Sequence, residues 1–417
     1  MSAALPASLA AHRVQNATVE SVCNGTVRWA PAKSIWFLGM ATGTVVGGIA
    51  TFSWAAFGLF IVTTGIVLLF GHSLGSHRKL IHDSYDCPKW LEYLFVYAGT
   101  QVGLAGPIDL VRQHDLRDYA QRLPRCHAYL RNARHWLVDA WWQLNCTLVL
   151  HAPPEIRIES RIADDRFYRF LDRTWMAQQL PWALAFHAWG GWGFVFWGVC
   201  ARVTAGVFGH WLIGYFAHNH GPMSHVVRGA AVQGRNVRYT SLITMGESWH
   251  NNHHAFPGSA RLGLYRGEWD PGWWALVALA KIGLVRRLRL PTDLPPREEL
   301  VALPRTSELP RRASLVDAWR LCFRAWSRDA AKKPALLVRW PAKLLSRHAL
   351  AGLFGPRVRL RLEPDLHRLV LCAGKLRLAG LSAIAIAAAQ RRRWLALPLA
   401  LGMPLLMLHC RRMPIAA

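Results

Sequence analysis

Long apolar stretches alternate with polar, basic stretches along this chain, and the segregation predicts membrane helices joined by large extramembrane loops. Residues 35–70 carry no charged side chain, and at 1.5 Å per residue they suffice for two helices of about 27 Å each, turning near Ser53. A second pair fits residues 180–200 and 203–216, with Arg202 at the tight turn. Tryptophans near the ends of this second pair are typical of a membrane interface.

The two long segments that follow these pairs, residues 71–179 and 217–300, are polar, basic and rich in tryptophan. By the positive-inside rule we expect both to be cytoplasmic, together with the N-terminal segment 1–34. Two hairpins then bring both loops to one side of the membrane. The predicted fold is an all-α integral, multi-pass membrane protein with four transmembrane helices in two hairpins and a cytoplasmic helical cap.

The composition changes after about Pro291 to a Pro- and Arg-rich linker and then to an Arg-dominated stretch. We therefore expect three regions: a cytoplasmic segment 1–34, a membrane domain with its cap over 35–290, and a basic appendage over 291–417. The appendage contains two short apolar runs, 376–389 and 394–408, separated by three arginines. At about fifteen residues each they are marginal as spans, and an interfacial or re-entrant hairpin is equally consistent with them.

Charge and cysteine content narrow the class of protein further. The formal net charge is +26 while 52% of residues are hydrophobic, which favours contact with anionic lipid head groups over nucleic acid. The eight cysteines are scattered without a Cys-x-x-Cys pair, so we expect free thiols in a reducing compartment rather than disulfides or a zinc finger.

Histidines cluster at the membrane exits and in the two loops. The clusters are GHSLGSHRKLIH from Gly71, HDLRD from His114, HWLIGYFAH from His210 and WHNNHH from Trp249. Neutral imidazole suits iron, copper or zinc, and several imidazoles bind one site without adding charge next to lipid. The clusters therefore predict a metal centre on the cytoplasmic side.

The spacing within two clusters bears on how many metals they bind. On a helix His253 and His254 lie about 60° and 40° to either side of His250, so all three share a face that can serve two adjacent metals. His72 and His77 are five apart, roughly 140° round a regular helix, so they more easily reach two metals or lie where the helix unwinds. His82 repeats the same interval after His77.

The motifs GHSLGSHR, HWLIGYFAH and GESWHNNHHAFP resemble the three-box pattern of membrane fatty acyl desaturases. Flanking motifs agree: PKWLEYLF follows the first box, a Gly-Pro step precedes the second, and SARLG with a later Asp-Pro-Gly-Trp-Trp run follows the third. The resemblance covers roughly residues 35–291. It implies four transmembrane helices, a cytoplasmic cap, two non-haem irons held by histidines, and dioxygen-dependent insertion of a cis double bond into a saturated fatty acyl chain, most often at carbon nine.

Carried over by position, the resemblance implies seven metal ligands: His72, His77, His114, His218, His250, His253 and His254. Two departures qualify it. Where the family's second box reads His-x-x-His-His, this chain has Arg117 and Asp118, and Gly214 stands where the exit helix usually carries an Asn. Arg117 stays charged and cannot ligate, so the candidates for the vacated positions are Asp118, His82, His127, His135 and His220.

The implied enzyme is an oxidoreductase that takes electrons from a separate ferredoxin-like or cytochrome-like donor, because the chain carries no haem-binding module or cysteine set for an iron–sulfur cluster. A basic cytoplasmic surface would attract an acidic donor. The implied substrate is a fatty acyl-CoA or an acyl-lipid. No motif in the sequence marks the residues that bind it. Two alternatives stay open: a lipid hydroxylase on the same scaffold, and a catalytically silent membrane protein that binds lipid or a partner.

Overall fold

The computed structural model describes residues 13–15 and 18–303 and four short strands further along the chain. It divides into two units, Met1–Arg311 and Arg312–Ala417. The described part of the second unit is an antiparallel sheet in the order fourth, third, second, first, of strands Val358–Glu363, Arg368–Ala373, Leu376–Ala379 and Cys410–Arg412. Most of the predicted apolar hairpin over 376–408 lies outside the described residues.

The first predicted helical pair turns where the sequence indicated. Helix α1, Pro31–Thr42, continues through a π-helical turn, Gly43–Gly47, to Ala50, and helix α2 begins at Trp54. Ser53 caps α2 by accepting a hydrogen bond from the Ala56 amide at 3.1 Å. Helix α2, Trp54–Ile66, runs without interruption into a π-helix, Val67–Ile81.

The second pair turns at a different place from the one predicted. The helical stretch Gln179–Val195 is broken at Gly190 and Gly191, and Gly191 has φ of +68°, a conformation that favours glycine. The chain folds back here, because the Phe186 ring packs against Gly198 and the Arg202 guanidinium donates a hydrogen bond to Gln179. The expected turn at Arg202 is therefore wrong, and Arg202 is buried in the middle of an arm.

Two helical stretches are long and apolar enough to cross a membrane, Trp54–Ile81 and Gln179–Asn219. The second of them contains the reversal at Gly190 and Gly191, so it is a hairpin of two arms rather than one rod. Large apolar side chains lie on the surface of both stretches, including Trp54, Leu184 and Trp189. A surface of this kind is typical of contact with lipid.

Shorter helices pack around these stretches, and their shared cores include Leu80, Val96, Val111, Tyr168 and Leu171. The first unit also contains short antiparallel strand pairs, Gly25–Trp29 with Cys146–Leu150 among them, so the described chain is mostly helical rather than all-α. The remaining helices are Val19–Cys23, Lys89–Thr100, Pro107–Arg122, Trp136–Asn145, Ser160–Ala163, Arg166–Thr174, Arg202–Asn219, His250–Ala255 and Pro271–Lys281.

The first residues of the predicted appendage, up to residue 303, belong to the first unit and pack within it. Strand Leu300–Ala302 pairs with strand His225–Val227, and Arg297 donates hydrogen bonds to the carbonyls of His254 and Ala255 at 3.0 and 3.1 Å. Because these carbonyls end the third-box helix, the described part of the linker, up to residue 303, contacts the histidine region directly.

Candidate metal centre

A π-helix sets the spacing of the first histidine box. In a π-helix each amide bonds to the carbonyl five residues earlier, so side chains five apart lie above one another. The His82 amide donates to the His77 carbonyl at 3.1 Å, and the two ring centroids are 4.8 Å apart. The interval that puts these histidines on different faces of a regular helix therefore brings them together here.

Four histidines form the first group. Each of His77, His82, His114 and His253 offers one ring nitrogen, and these nitrogens lie within 4.8 Å of one another. The group joins the end of the π-helix to helix Pro107–Arg122 and helix His250–Ala255. Its members are largely shielded from solvent, so the nitrogens converge in a space with little competing water.

Three histidines form the second group, which consists of His218, His250 and His254. The Nε2 atom of His250 is 3.0 Å from Nε2 of both His218 and His254. His250 and His254 belong to the second group while His253 belongs to the first, so one short helix contributes to both. Their rings are 5.7 and 5.9 Å from that of His253, which makes the two groups neighbours.

The expected ligand set and the two groups differ at the first box. Six of the seven predicted ligands lie in one of the groups, but His72 lies in neither; its ring is 5.3 Å from that of His210 instead. His82, predicted only as a substitute, is in the first group. The π-helix stacks all three rings at intervals of five, with centroids 6.4 Å apart for His72 and His77 and 4.8 Å apart for His77 and His82. His82, at the end of the π-helix, also lies 4.9 Å from the rings of His114 and His253, whereas His72 faces His210.

The remaining substitutes lie outside both groups. His127 accepts a hydrogen bond from the Tyr129 amide at 3.2 Å and stacks on Trp142. His220 packs against the rings of Tyr215 and Phe216, and the ring of His135 packs against Trp136.

Arg117 and Asp118, the two residues at which the second box differs from the family pattern, bind other side chains. Arg117 donates hydrogen bonds to Asn132 at 3.2 Å and to Gln143 at 2.8 Å. The Asp118 carboxylate is 2.5 Å from the Arg122 guanidinium. Burial would raise the pKa of Asp118, but the surrounding charges, that of Arg122 foremost, together outweigh burial and lower the pKa, so the carboxylate is ionised beside the second group.

Polar side chains contact three of the histidine rings through Nδ1. His77 Nδ1 is 2.6 Å from Glu247, and His114 Nδ1 is 3.4 Å from Asp115. Asn132 Oδ1 is 3.1 Å from His218 Nδ1, and since an amide oxygen only accepts, this nitrogen carries the proton and Nε2 is left to ligate. Such outer contacts fix the orientation of a ligating ring and its tautomer.

The Glu247 carboxylate is the most strongly perturbed of these partners. Burial would raise its pKa, but the charges of His77 and Arg78 outweigh burial and hold the pKa at about 2. Ser73 donates a further hydrogen bond to Glu247 at 2.6 Å. Glu247 is therefore a fixed anion behind the first group.

The donor set suits a metal pair. Nε2 of His82 and Nδ1 of His253 are buried without a hydrogen-bond partner, and an orphaned buried nitrogen is costly unless something else coordinates it. Burial lowers the pKa of both imidazoles well below the usual range, so both are neutral, which is the ligating form. Two converging sets of imidazole nitrogens thus fit two transition-metal ions.

Comparison with known proteins identifies the family. An sn-1 stearoyl-lipid 9-desaturase of Synechocystis sp. is 34% identical over 248 residues, which are 58% of this chain and 74% of that protein. Another, of Anabaena variabilis, is 32% identical over 278 residues, covering 66% of this chain and 98% of that protein. This chain belongs to the membrane fatty acyl desaturase family.

Related desaturases with other named activities match over the same length. An acyl-CoA 5-desaturase of Anemone leveillei is 29% identical over 249 residues, or 60% of this chain and 76% of that protein. No protein-family model matches the chain. The predictions of a desaturase, of an oxidoreductase and of the family itself are confirmed.

Sequence reasoning missed the polar residues around this desaturase's histidines. Glu247, Asp115 and Asn132 each contact a ring, and Asp139 contacts Asn132. Asp115 is adjacent to a predicted ligand, and Glu247 lies within GESWHNNHH, so proximity to the boxes was the available signal. Asn132 and Asp139 lie in the loop and helix after the second box, with Asn132 donating to Asp139 at 3.0 Å. No local motif marks them.

Proposed function

We propose that the chain is a di-iron desaturase that inserts a cis double bond near carbon 9 of a saturated fatty acyl chain, with dioxygen as co-substrate. The observation that carries the proposal is the pair of adjacent buried and half-buried histidine groups joined by the third-box helix. When bound, two non-haem irons supply the oxidation of an unactivated methylene, which no protein side chain performs.

The ligands in this proposal are assigned group by group. The first iron is held by His77, His82, His114 and His253, and the second by His218, His250 and His254. Glu247, Asp115 and Asn132 orient three of these rings from behind. His72, on the membrane side of the first group, is not a ligand in this assignment.

The proposed topology has four spans in two hairpins, with the metal centre and both long loops on the cytoplasmic side. The turns at Ser53 and at Gly190 and Gly191 support it, since the backbone of Gly193 lies against Thr51 and the two turns are therefore side by side. The basic loops support the cytoplasmic assignment. Residues 1–34 and 291–417 are proposed as a cytoplasmic segment and a basic appendage that flank the membrane domain.

The proposed substrate is an acyl-lipid or an acyl-CoA, because relatives named for each kind are similar to this chain over 248 to 278 residues. The proposed electron donor is a separate acidic protein of the ferredoxin or cytochrome type. The formal net charge of +26 supports it, because complementary charge accelerates and orients association.

Metal content and product analysis together test the function. The full chain is expressed in a host that lacks the activity, its iron is measured after reconstitution, and its lipids are analysed for double-bond position by mass spectrometry. We expect two irons per chain and a cis-monounsaturated product, both lost in His253→Ala. Fewer than one iron per chain, with lipids unchanged by the wild type, would sink the enzyme proposal; a hydroxylated product would favour the hydroxylase.

A further inference from the structure

Helix Arg166–Thr174 presents two different faces just before the second membrane hairpin. Tyr168 and Leu171 are fully buried and pack in the core with Ile108 and Val111. Arg166, Arg169 and Arg173 lie on the opposite face at helical spacing and are exposed, as is Phe170. The helix is thus anchored firmly with its cations outward.

The nearby carboxylates do not neutralise this face. Asp165 binds Lys89 at 3.1 Å and caps its own helix, and Asp172 accepts hydrogen bonds from the amides of Ile108 and Asp109 at 2.9 and 3.0 Å. Within residues 18–303, none of the three arginines lies within 4.0 Å of a carboxylate. Three guanidinium groups are therefore left without an internal counter-ion in this part of the chain.

The arginines line a groove of about 360 Å³ together with Phe170 and Thr174. Five residues after Thr174 the apolar hairpin begins, and Leu180 and Leu184 on its first arm are 63% and 73% exposed. The cationic groove consequently lies where lipid-facing apolar surface starts. This is the level at which phospholipid phosphates lie, and guanidinium binds phosphate in a bidentate geometry.

We propose that this surface, the arginine groove of Arg166, Arg169, Phe170, Arg173 and Thr174, binds the head group of an anionic phospholipid. The phosphate contacts the guanidinium groups while the acyl chains lie along Phe170 and the exposed leucines of the hairpin. The site is independent of the metal centre and of the proposed reaction. It selects anionic over zwitterionic lipid and holds the hairpin at a fixed depth.

The test uses the full chain in detergent, titrated with phosphatidylglycerol or phosphatidylcholine and read by native mass spectrometry. The variant is Arg166→Gln/Arg169→Gln/Arg173→Gln. The matched control, Arg131→Gln/Arg228→Gln/Arg266→Gln, removes the same charge from exposed positions elsewhere. Metal content of both variants, unchanged from wild type, verifies that they fold.

We expect the wild type and the control to prefer phosphatidylglycerol, and the groove variant to lose that preference by about tenfold. Equal loss in both variants would mean general charge attraction and would overturn the proposal. Displacement of the lipid by millimolar inorganic phosphate would overturn it in favour of a small-anion site. The proposal would also be overturned if the groove variant kept its lipid preference but lost binding to an acidic ferredoxin, because the groove would then be a protein-docking surface.

Discussion

The two histidine groups differ in the number of imidazoles and in the polar side chains that contact them, and the local sequence predicts only part of this difference. The first has four imidazoles and carboxylates behind two of them, Glu247 and Asp115. The second has three imidazoles, an amide behind His218, and an ionised Asp118 that is engaged with Arg122. A site with more ligands and anionic support binds a cation more tightly. We therefore expect the departures of the second box to weaken metal binding at the second group and to leave the first group unaffected.

The largest expected effect separates two histidines of the first box. His82→Ala removes one of four nitrogens in the first group, so we expect loss of about one metal per chain and of desaturation. His72→Ala, the matched control, leaves both groups complete and should retain both metals. Plasma mass spectrometry measures iron per chain in the two variants. Loss of metal from the His72 variant and not from the His82 variant would support His72 as the ligand, as the family resemblance implies.

Adding imidazoles beside the second group should reduce the difference in metal affinity between the two groups. The double variant Arg117→His/Asp118→His supplies two further imidazoles, and we expect the weaker metal to bind roughly tenfold more tightly or better. Competition with a calibrated chelator measures this affinity. Asp118→Asn serves as control for the loss of charge alone. If the double variant binds no more tightly than the wild type, these positions do not face the second metal.

The next largest effect on metal affinity is expected from Glu247, the carboxylate that contacts His77. Glu247→Gln keeps the shape but removes the anion, and we expect metal affinity of the first group to fall by about 10- to 100-fold, the usual range for such partners. The second group should be unaffected. Equal weakening of both groups, in the same chelator titration, would show that Glu247 acts on the fold and not on His77.

The smallest effect is expected behind the second group. Asp139 accepts hydrogen bonds from Asn132 at 3.0 Å and Trp211 at 2.9 Å, and so reaches His218 only through the amide. Asp139→Asn should weaken the second metal by about threefold, less than a direct partner would. A loss as large as that of Glu247→Gln would mean that the two groups are supported equally.

Much of the architecture follows from local properties of the chain. Uncharged apolar stretches give membrane helices, and Ser53 is a helix cap where the first pair turns. The third box needs only helical spacing to present His250, His253 and His254 together. The turn of the second pair was predicted at Arg202, although Gly190 and Gly191 carried the stronger signal, because only a glycine readily takes the positive φ found there.

The composition of the metal groups required the folded chain. A π-helical register, which the residue pattern does not specify, stacks His72, His77 and His82, and only the packing of distant segments brings His114 and His253 against His82 and His210 against His72. Glu247 contacts His77 across 170 residues of sequence and Asn132 contacts His218 across 86. Arg297 reaches the third box from a segment that composition assigns to a linker. Sequence thus fixes which residues have the chemistry, since that depends on side-chain type and local spacing. Which of them share a metal depends on helix register and on contacts between distant segments, and those exist only in the packed structure.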